Sequence, residues 1–237
     1  MLEEKNQLVV TMEKRLGMAE TLPVVLLLTI SGGFQDAYSY LIRGGVFANA
    51  QTGNIVLMSS HLFELDFRGG YPYFFTIVAF ATGVFVAEQL AGVFRFNEKM
   101  HWRQVVVVLE ILILFTVGFL PSSMNSVANA MVSFSCAMQV QAFRRVNGYA
   151  YASTMCIGNM RSGVESFSAY LRTRDRALLE KSVYYFGVIL VFALGAGIGS
   201  IMARFYGRKI IWFSSVVLLF AFLLMFLEED VFNRKDE

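Results

Sequence analysis

Long apolar runs dominate the chain, and the polar residues that interrupt them give it its organisation. Near-continuous apolar stretches cover Thr21 to Ile42, Val46 to Leu62, Tyr73 to Phe94, Gln104 to Leu120, Ser126 to Phe143, Tyr149 to Leu171, Val183 to Ala203 and Ile210 to Leu227. Most have the roughly 17 to 25 residues that a helix needs to cross a hydrocarbon core, and none alternates as a lipid-facing barrel strand does. The pattern predicts an all-α, polytopic helical membrane protein. Gly44-Gly45, Gly69-Gly70 with Pro72, and Pro121-Ser122-Ser123 punctuate the runs as turns.

The interruptions recur. The first run carries Asp36, breaks at Gly44-Gly45 and continues into a polar, small-residue cluster, Asn49-Ala50-Gln51-Thr52-Gly53-Asn54. A degraded copy follows from Cys136 to Asn159, with Gln141 in the place of Asp36 and Gly158-Asn159 in the place of Gly53-Asn54. Phe80-Ala81-Thr82-Gly83 matches Phe192-Ala193-Leu194-Gly195 in the same order. These registers predict two internal repeats, residues 21–121 and 122–229, between a cytoplasmic N-terminal segment, 1–20, and a C-terminal tail, 230–237. Such repeats are a hallmark of transporter folds, whose sites form at broken helices near the repeat interface.

Lysine and arginine in short loops stay on the cytoplasmic side. A cytoplasmic N-terminus places Arg95, Lys99, Arg103, Arg144, Arg145, Arg172, Arg174, Arg176 and Lys181 inside, provided the second and sixth runs do not cross fully. Arg204, Arg208 and Lys209 then fall on the opposite face. The expectation is six full transmembrane helices plus two short or re-entrant segments, arranged as an inverted repeat. The alternative is eight spans in a parallel repeat.

Composition supports the membrane reading and removes other classes. Of 237 residues, 56% are hydrophobic and 16% charged, where a soluble domain carries roughly a quarter charged residues. A formal charge of +2, with the basic residues spread over loops, excludes a nucleic-acid partner. Cys136 and Cys156 lack metal-ligand spacing, and His61 and His101 lie far apart, so no metal or cofactor is expected. The chain contains neither HExxH nor GxSxG, and it is not expected to be an enzyme. The first 20 residues lack the short basic start and cleavage site of a signal peptide. The expected location is the inner (plasma) membrane, multi-pass, with the lipid bilayer and an unknown small solute or ion as partners. Association into a homo-oligomer stays open.

Asp36 is the first candidate for chemistry. A charged, unpaired carboxylate at bilayer depth costs several kcal/mol, so it faces a cavity, finds a partner or stays protonated. The competing role is a local hydrogen bond that holds the Gly44-Gly45 break. Asn49, Gln51, Thr52, Gly53 and Asn54 offer donors and acceptors at a helix start, where Thr52 or Asn54 would cap and free N–H groups favour anions. They equally suit the satisfaction of broken backbone. Gln141, Asn159 and Arg161 complete the pathway candidates in the second half. Arg161 stands one turn from Glu165 and is expected to pair with it. Glu110 lies deep in its run and suits either a second proton site or an arginine partner, while Gly195-x-x-x-Gly199 suits close helix packing.

The stretch GGFQDAYSYLIRGGVFANAQTGNIVLM resembles the opening motif of the YoaK-like family of bacterial inner-membrane proteins, a family of unknown function. The matching positions are Gly33, Phe34, Asp36, Ala37, Gly44, Gly45, Val46, Phe47, Thr52, Gly53 and Asn54. The similarity runs over nearly the whole chain. Ile157 departs from the pattern where a second threonine is expected, and Arg161 follows it. The resemblance implies a bacterial polytopic membrane protein and carries no activity with it. The functional expectation is a small-solute or ion transporter with a polar pathway near Asp36; the alternative is a non-transporting scaffold or sensor.

Overall fold

A computed structural model describes residues 21–94, 102–146, 149–150, 153–154 and 156–233. The N-terminal segment 1–20, the basic residues Arg95 and Lys99, His101 and residues 234–237 of the tail lie outside the described residues. The chain is all-α. Its helices are α1 (Leu22–Ile42), α2 (Gln51–Phe63), α3 (Phe67–Phe94), α4 (Trp102–Val117), α5 (Asn125–Ala142), α6 (Cys156–Thr173), α7 (Arg176–Tyr206) and α8 (Ile211–Asn233). Among the described residues the sole extended pairing is a two-residue antiparallel contact, Arg145–Val146 with Tyr149–Ala150.

Local chemistry sets the helix ends. Pro23 stands in the first turn of α1, where its missing N–H costs nothing. At the other end Gly44 and Gly45 take φ of +92° and +78°, and the Gly45 N–H closes on the Tyr40 carbonyl at 2.9 Å. That is the six-to-one bond of a Schellman ending, and it needs left-handed residues. Two further turns share one design. Leu65 and Arg174 both have φ of 57°, and each is followed by an aspartate that caps the next helix. Asp66 Oδ1 accepts from Gly69 N and Asp175 Oδ1 from Ala177 N, both at 3.0 Å. The Asp66 cap starts α3 at Phe67, ahead of the run beginning at Tyr73, so that Pro72 lies inside the helix, where it removes one intrahelical donor.

Helices α1, α4, α5 and α8 form the buried centre, with Leu28, Phe34, Leu114, Met138 and Leu218 fully enclosed. Helices α3 and α7 flank it. A Cβ on Gly33 of α1 would enter the Phe192 carbonyl of α7, and one on Gly195 would enter the Ile30 carbonyl. On the other side a Cβ on Gly83 of α3 would enter the Phe134 carbonyl of α5. Small residues let these backbones touch. Outward, α3 shows Phe74, Phe75, Val78 and Phe85, and α7 shows Val183, Leu190, Leu194 and Ile201. The stretches Phe67–Phe94 and Arg176–Phe226 are long and apolar enough to cross a membrane. By the usual rise per residue, α3 and α7 measure about 42 and 46 Å.

Candidate functional site

The break after α1 is closed by side chains reaching backbone. Asp36 is half-buried, and its Oδ1 accepts from the Asn49 N–H at 2.8 Å. Ser39 Oγ accepts from the Ala48 N–H at 3.1 Å, and Asn49 Nδ2 donates to the Gly32 carbonyl at 3.2 Å. Asn54, fully enclosed, clamps Phe47 from both sides: its Oδ1 accepts from the Phe47 N–H and its Nδ2 donates to the Phe47 carbonyl. Asn54 therefore ties down the loop instead of capping α2, whose N-cap position is Ala50. Gln51 Nε2 donates to the Ala48 carbonyl and crosses to Ser133 Oγ on α5 at 3.0 Å. Gly53 lies under the Phe47 ring, and Thr52 is exposed. The cluster anticipated around Asp36 is thus one spatial unit.

The second-half candidates are brought together less tightly. Gln141 is buried and accepts from Arg144 Nε at 3.1 Å, while Arg144 also reaches Glu88 at 3.0 Å. Asn159 is buried on α6. Arg161 and Glu165 are both exposed and form no ion pair, contrary to the expectation from their spacing. Exposed partners one turn apart gain little and lose side-chain freedom when held together. The Gln139 amide, buried on α5, donates to Ser153 Oγ at 2.9 Å and to the Leu28 carbonyl at 3.3 Å.

A second polar layer lies deeper, where four helices meet. Glu110 of α4 is completely buried and accepts from Gln35 Nε2 at 3.0 Å. The second N–H of Gln35, adjacent to Asp36 on α1, is shared between Ser31 Oγ at 2.9 Å and Ser214 Oγ of α8 at 3.2 Å. Ser31 and Ser214 share a 2.6 Å hydrogen bond, and the Cys136 thiol of α5 donates to Gln35 Oε1 at 2.7 Å. No arginine pairs with Glu110 in this layer. Cys136 lies near both Glu110 and Asp36, so the two carboxyl groups border one polar zone along α1 and α5. Sequence spacing hinted at the layer, since Ser31 and Gln35 are four apart on one helix face. Their partners come from α4, α5 and α8, which no local pattern connects.

Arg43 was not anticipated either. Its guanidinium is buried and donates to the Val117 carbonyl at 2.8 Å, to the Leu120 carbonyl at 3.0 Å and to Asn125 Oδ1 at 3.1 Å. It thereby adds a charged donor to carbonyls at and just beyond the end of α4, where Val117 otherwise accepts from the Leu120 N–H at 3.2 Å. Among the described residues no group of three or more His, Cys, Asp or Glu side chains is placed to hold a metal ion.

Comparison with known proteins adds a family. The family model described as "Protein of unknown function (DUF1275)" matches residues 24–224. The UPF0700 transmembrane protein YoaK of Bacillus subtilis (strain 168) is 25% identical over 210 residues, covering 84% of this chain and 90% of that protein. No solved structure matches the chain.

Proposed function

The chain belongs to the DUF1275 family of proteins of unknown function, and from that premise we propose a polytopic membrane transporter that moves a small solute or ion past Asp36 and the Asn49–Asn54 segment. The observation that carries the reading is the Asp36 carboxyl itself: half-buried, bonded across a helix break to the Asn49 N–H, and paired with no Lys, Arg or His among the described residues. Gln141, Asn159 and Arg161 line the corresponding region of the second half. An inverted two-repeat plan supports this. The α1–α7 contact at Gly33 and Gly195 has a counterpart in the α5–α3 contact at Gly83, and the Leu65-Asp66 turn has one in Arg174-Asp175. Under this plan the N-terminus is cytoplasmic in a bacterial inner membrane, and α2 and α6 are the short segments. The protein works without a cofactor and is not an enzyme.

A scaffold or sensor is the second reading, and it is favoured by one fact: Asn49, Gln51 and Asn54 spend their donors on local backbone. Aqueous thiol labelling separates the two. Thr52→Cys and Ile157→Cys are made with Cys136→Ser, which keeps the donor to Gln35, and Cys156→Ala. Both introduced thiols are expected to label, from opposite sides of the membrane; protection of both from either side would favour the scaffold. Asp36→Asn retains an acceptor for the Asn49 N–H, so folded protein in the membrane with transport abolished is expected.

A further inference from the structure

The deep polar layer is not used by the pathway above, and its central group is ionisable. Glu110 is fully enclosed, with one carboxyl oxygen bonded and the other, Oε2, without a hydrogen bond. The Ser135 hydroxyl stands against the same carboxyl and is also without a hydrogen bond. An ionised carboxylate here would leave a bare charge on Oε2, in a place where burying an unpaired ion is among the costliest arrangements available to a protein. A carboxylic acid fits instead: Oε1 accepts from Gln35, and an Oε2–H can donate to Ser135 Oγ, which gives both orphan atoms a partner.

The surroundings are consistent with this on every side. From α5 comes the Cys136 thiol, from α1 the neutral Gln35 and, beyond it, Asp36; α8 contributes Ser214 and no charge. On α4 itself the nearest charged residue is Arg103, about two turns away along the helix. Among the described residues no cation is in place to hold Glu110 ionised, while Gln35 and Ser135 are placed to keep the carboxylate solvated briefly once its proton leaves.

We propose that Glu110 is a proton-binding site, loaded in the conformation described and unloaded to water when the α1–α4–α5–α8 junction opens. Its use as the coupling site of a transporter rests on the function proposed above; the proton binding does not. The Gln35–Glu110 hydrogen bond ties the loaded carboxyl to the residue beside Asp36, so release of the proton and movement of the Asp36 segment are mechanically linked.

Infrared spectroscopy on the full chain in vesicles of phosphatidylethanolamine and phosphatidylglycerol tests the proposal without a known substrate. At neutral pH an acid carbonyl band is expected, shifting on isotope labelling of the glutamate carboxyl carbon and on transfer to deuterated water, and disappearing reversibly as pH is raised. Glu64, Glu88, Glu165 and Glu180 are exposed, and loss of the band in Glu110→Gln separates it from every other glutamate. The band is expected to vanish in Glu110→Gln and to persist in Asp36→Asn. Should Glu110→Gln fail to fold, Gln35→Leu, which removes the donor to Oε1, is expected to shift the same labelled band. Absence of a glutamate acid band at neutral pH would overturn the proposal, as would a band that neither shifts in deuterated water nor titrates. Thiol protection at Thr52 and Ile157 with the band intact would sink the transport reading alone.

Discussion

Two of the breaks between helices, after α1 and after α5, are built differently. Residues 43–50 carry three side-chain clamps, Asp36 to Asn49, Ser39 to Ala48 and Asn54 to Phe47, with two glycines supplying the left-handed turn. Residues 143–155 are longer; among the described residues Gln141 holds Arg144, itself exposed and turned toward Glu88, and Gln139 holds Ser153. The helices that follow differ in the same sense. Helix α2 contains no charged residue, while α6 exposes Ile157, Met160, Val164 and Leu171 along one line and Arg161, Glu165 and Arg172 along another. A helix with both faces exposed suits the boundary between headgroups and acyl chains. At the first break three side chains bond to backbone, whereas the described ties at the second run between side chains.

The comparison can be broken most severely at the helix contacts common to both halves. Gly33→Leu, Gly195→Leu and Gly83→Leu each drive a side chain into a facing backbone carbonyl, which cannot step aside. Each is expected to cost more than about 3 kcal/mol, at the upper end for overpacking, and to abolish monodisperse protein in detergent. Gly197→Leu on the same helix meets open space and should leave the melting temperature unchanged. Equal tolerance of Gly195→Leu and Gly197→Leu would refute the packing of α7 on α1.

Next come the clamps. Asn54→Ala strands the Phe47 N–H and carbonyl together and is expected to cost about 2–3 kcal/mol. Asp36→Ala strands one N–H, for about 1–2 kcal/mol, whereas Gln141→Ala should cost under about 1 kcal/mol because its partner turns to water. Chemical denaturation in mixed micelles ranks the three, and a Gln141 effect as large as that of Asn54 would erase the asymmetry between the breaks. Arg161→Ala, exposed and unpaired, should stay within about 0.5 kcal/mol of the parent.

The smallest effect lies in the Leu65-Asp66 turn. The Gly69 N–H, and after it His61 at 2.9 Å, hold the Asp66 carboxyl below its ordinary value of 3.8. A depressed folded value contributes stability that is present above 3.8 and lost as pH falls through the lower folded value. Local hydrogen exchange at the start of α3 should rise over that acidic interval in the parent and be insensitive to it in Asp66→Asn.

Much of this was legible in the residues. The runs that became α1, α4, α5 and α8 were readable from length and apolarity, and the cluster around Asp36 was readable because Asn49, Gln51 and Asn54 are short-range neighbours of the loop they tie. The start of α3 was not, since Pro72 reads as punctuation until Asp66 is seen to cap the preceding turn. The Arg161–Glu165 pairing failed because spacing makes contact available without making it favourable. Arg43 and Glu110 illustrate a third case: a single charged letter in an apolar run announces that a partner is needed and says nothing of which one.

By itself, the order of apolar and polar residues determined that this chain is helical, where its helices break, and that carboxyl groups lie within its buried stretches; these follow from hydrogen-bond satisfaction and burial, which act along the chain. Only the tertiary structure decided that Glu110 meets Gln35 and Ser135, that Ser31 and Gln35 meet Ser214, that Arg43 closes α4, and that Gly33 and Gly195 share one contact. Those pairings join residues as many as 183 positions apart, and close packing of four helices, which no local preference encodes, selects them.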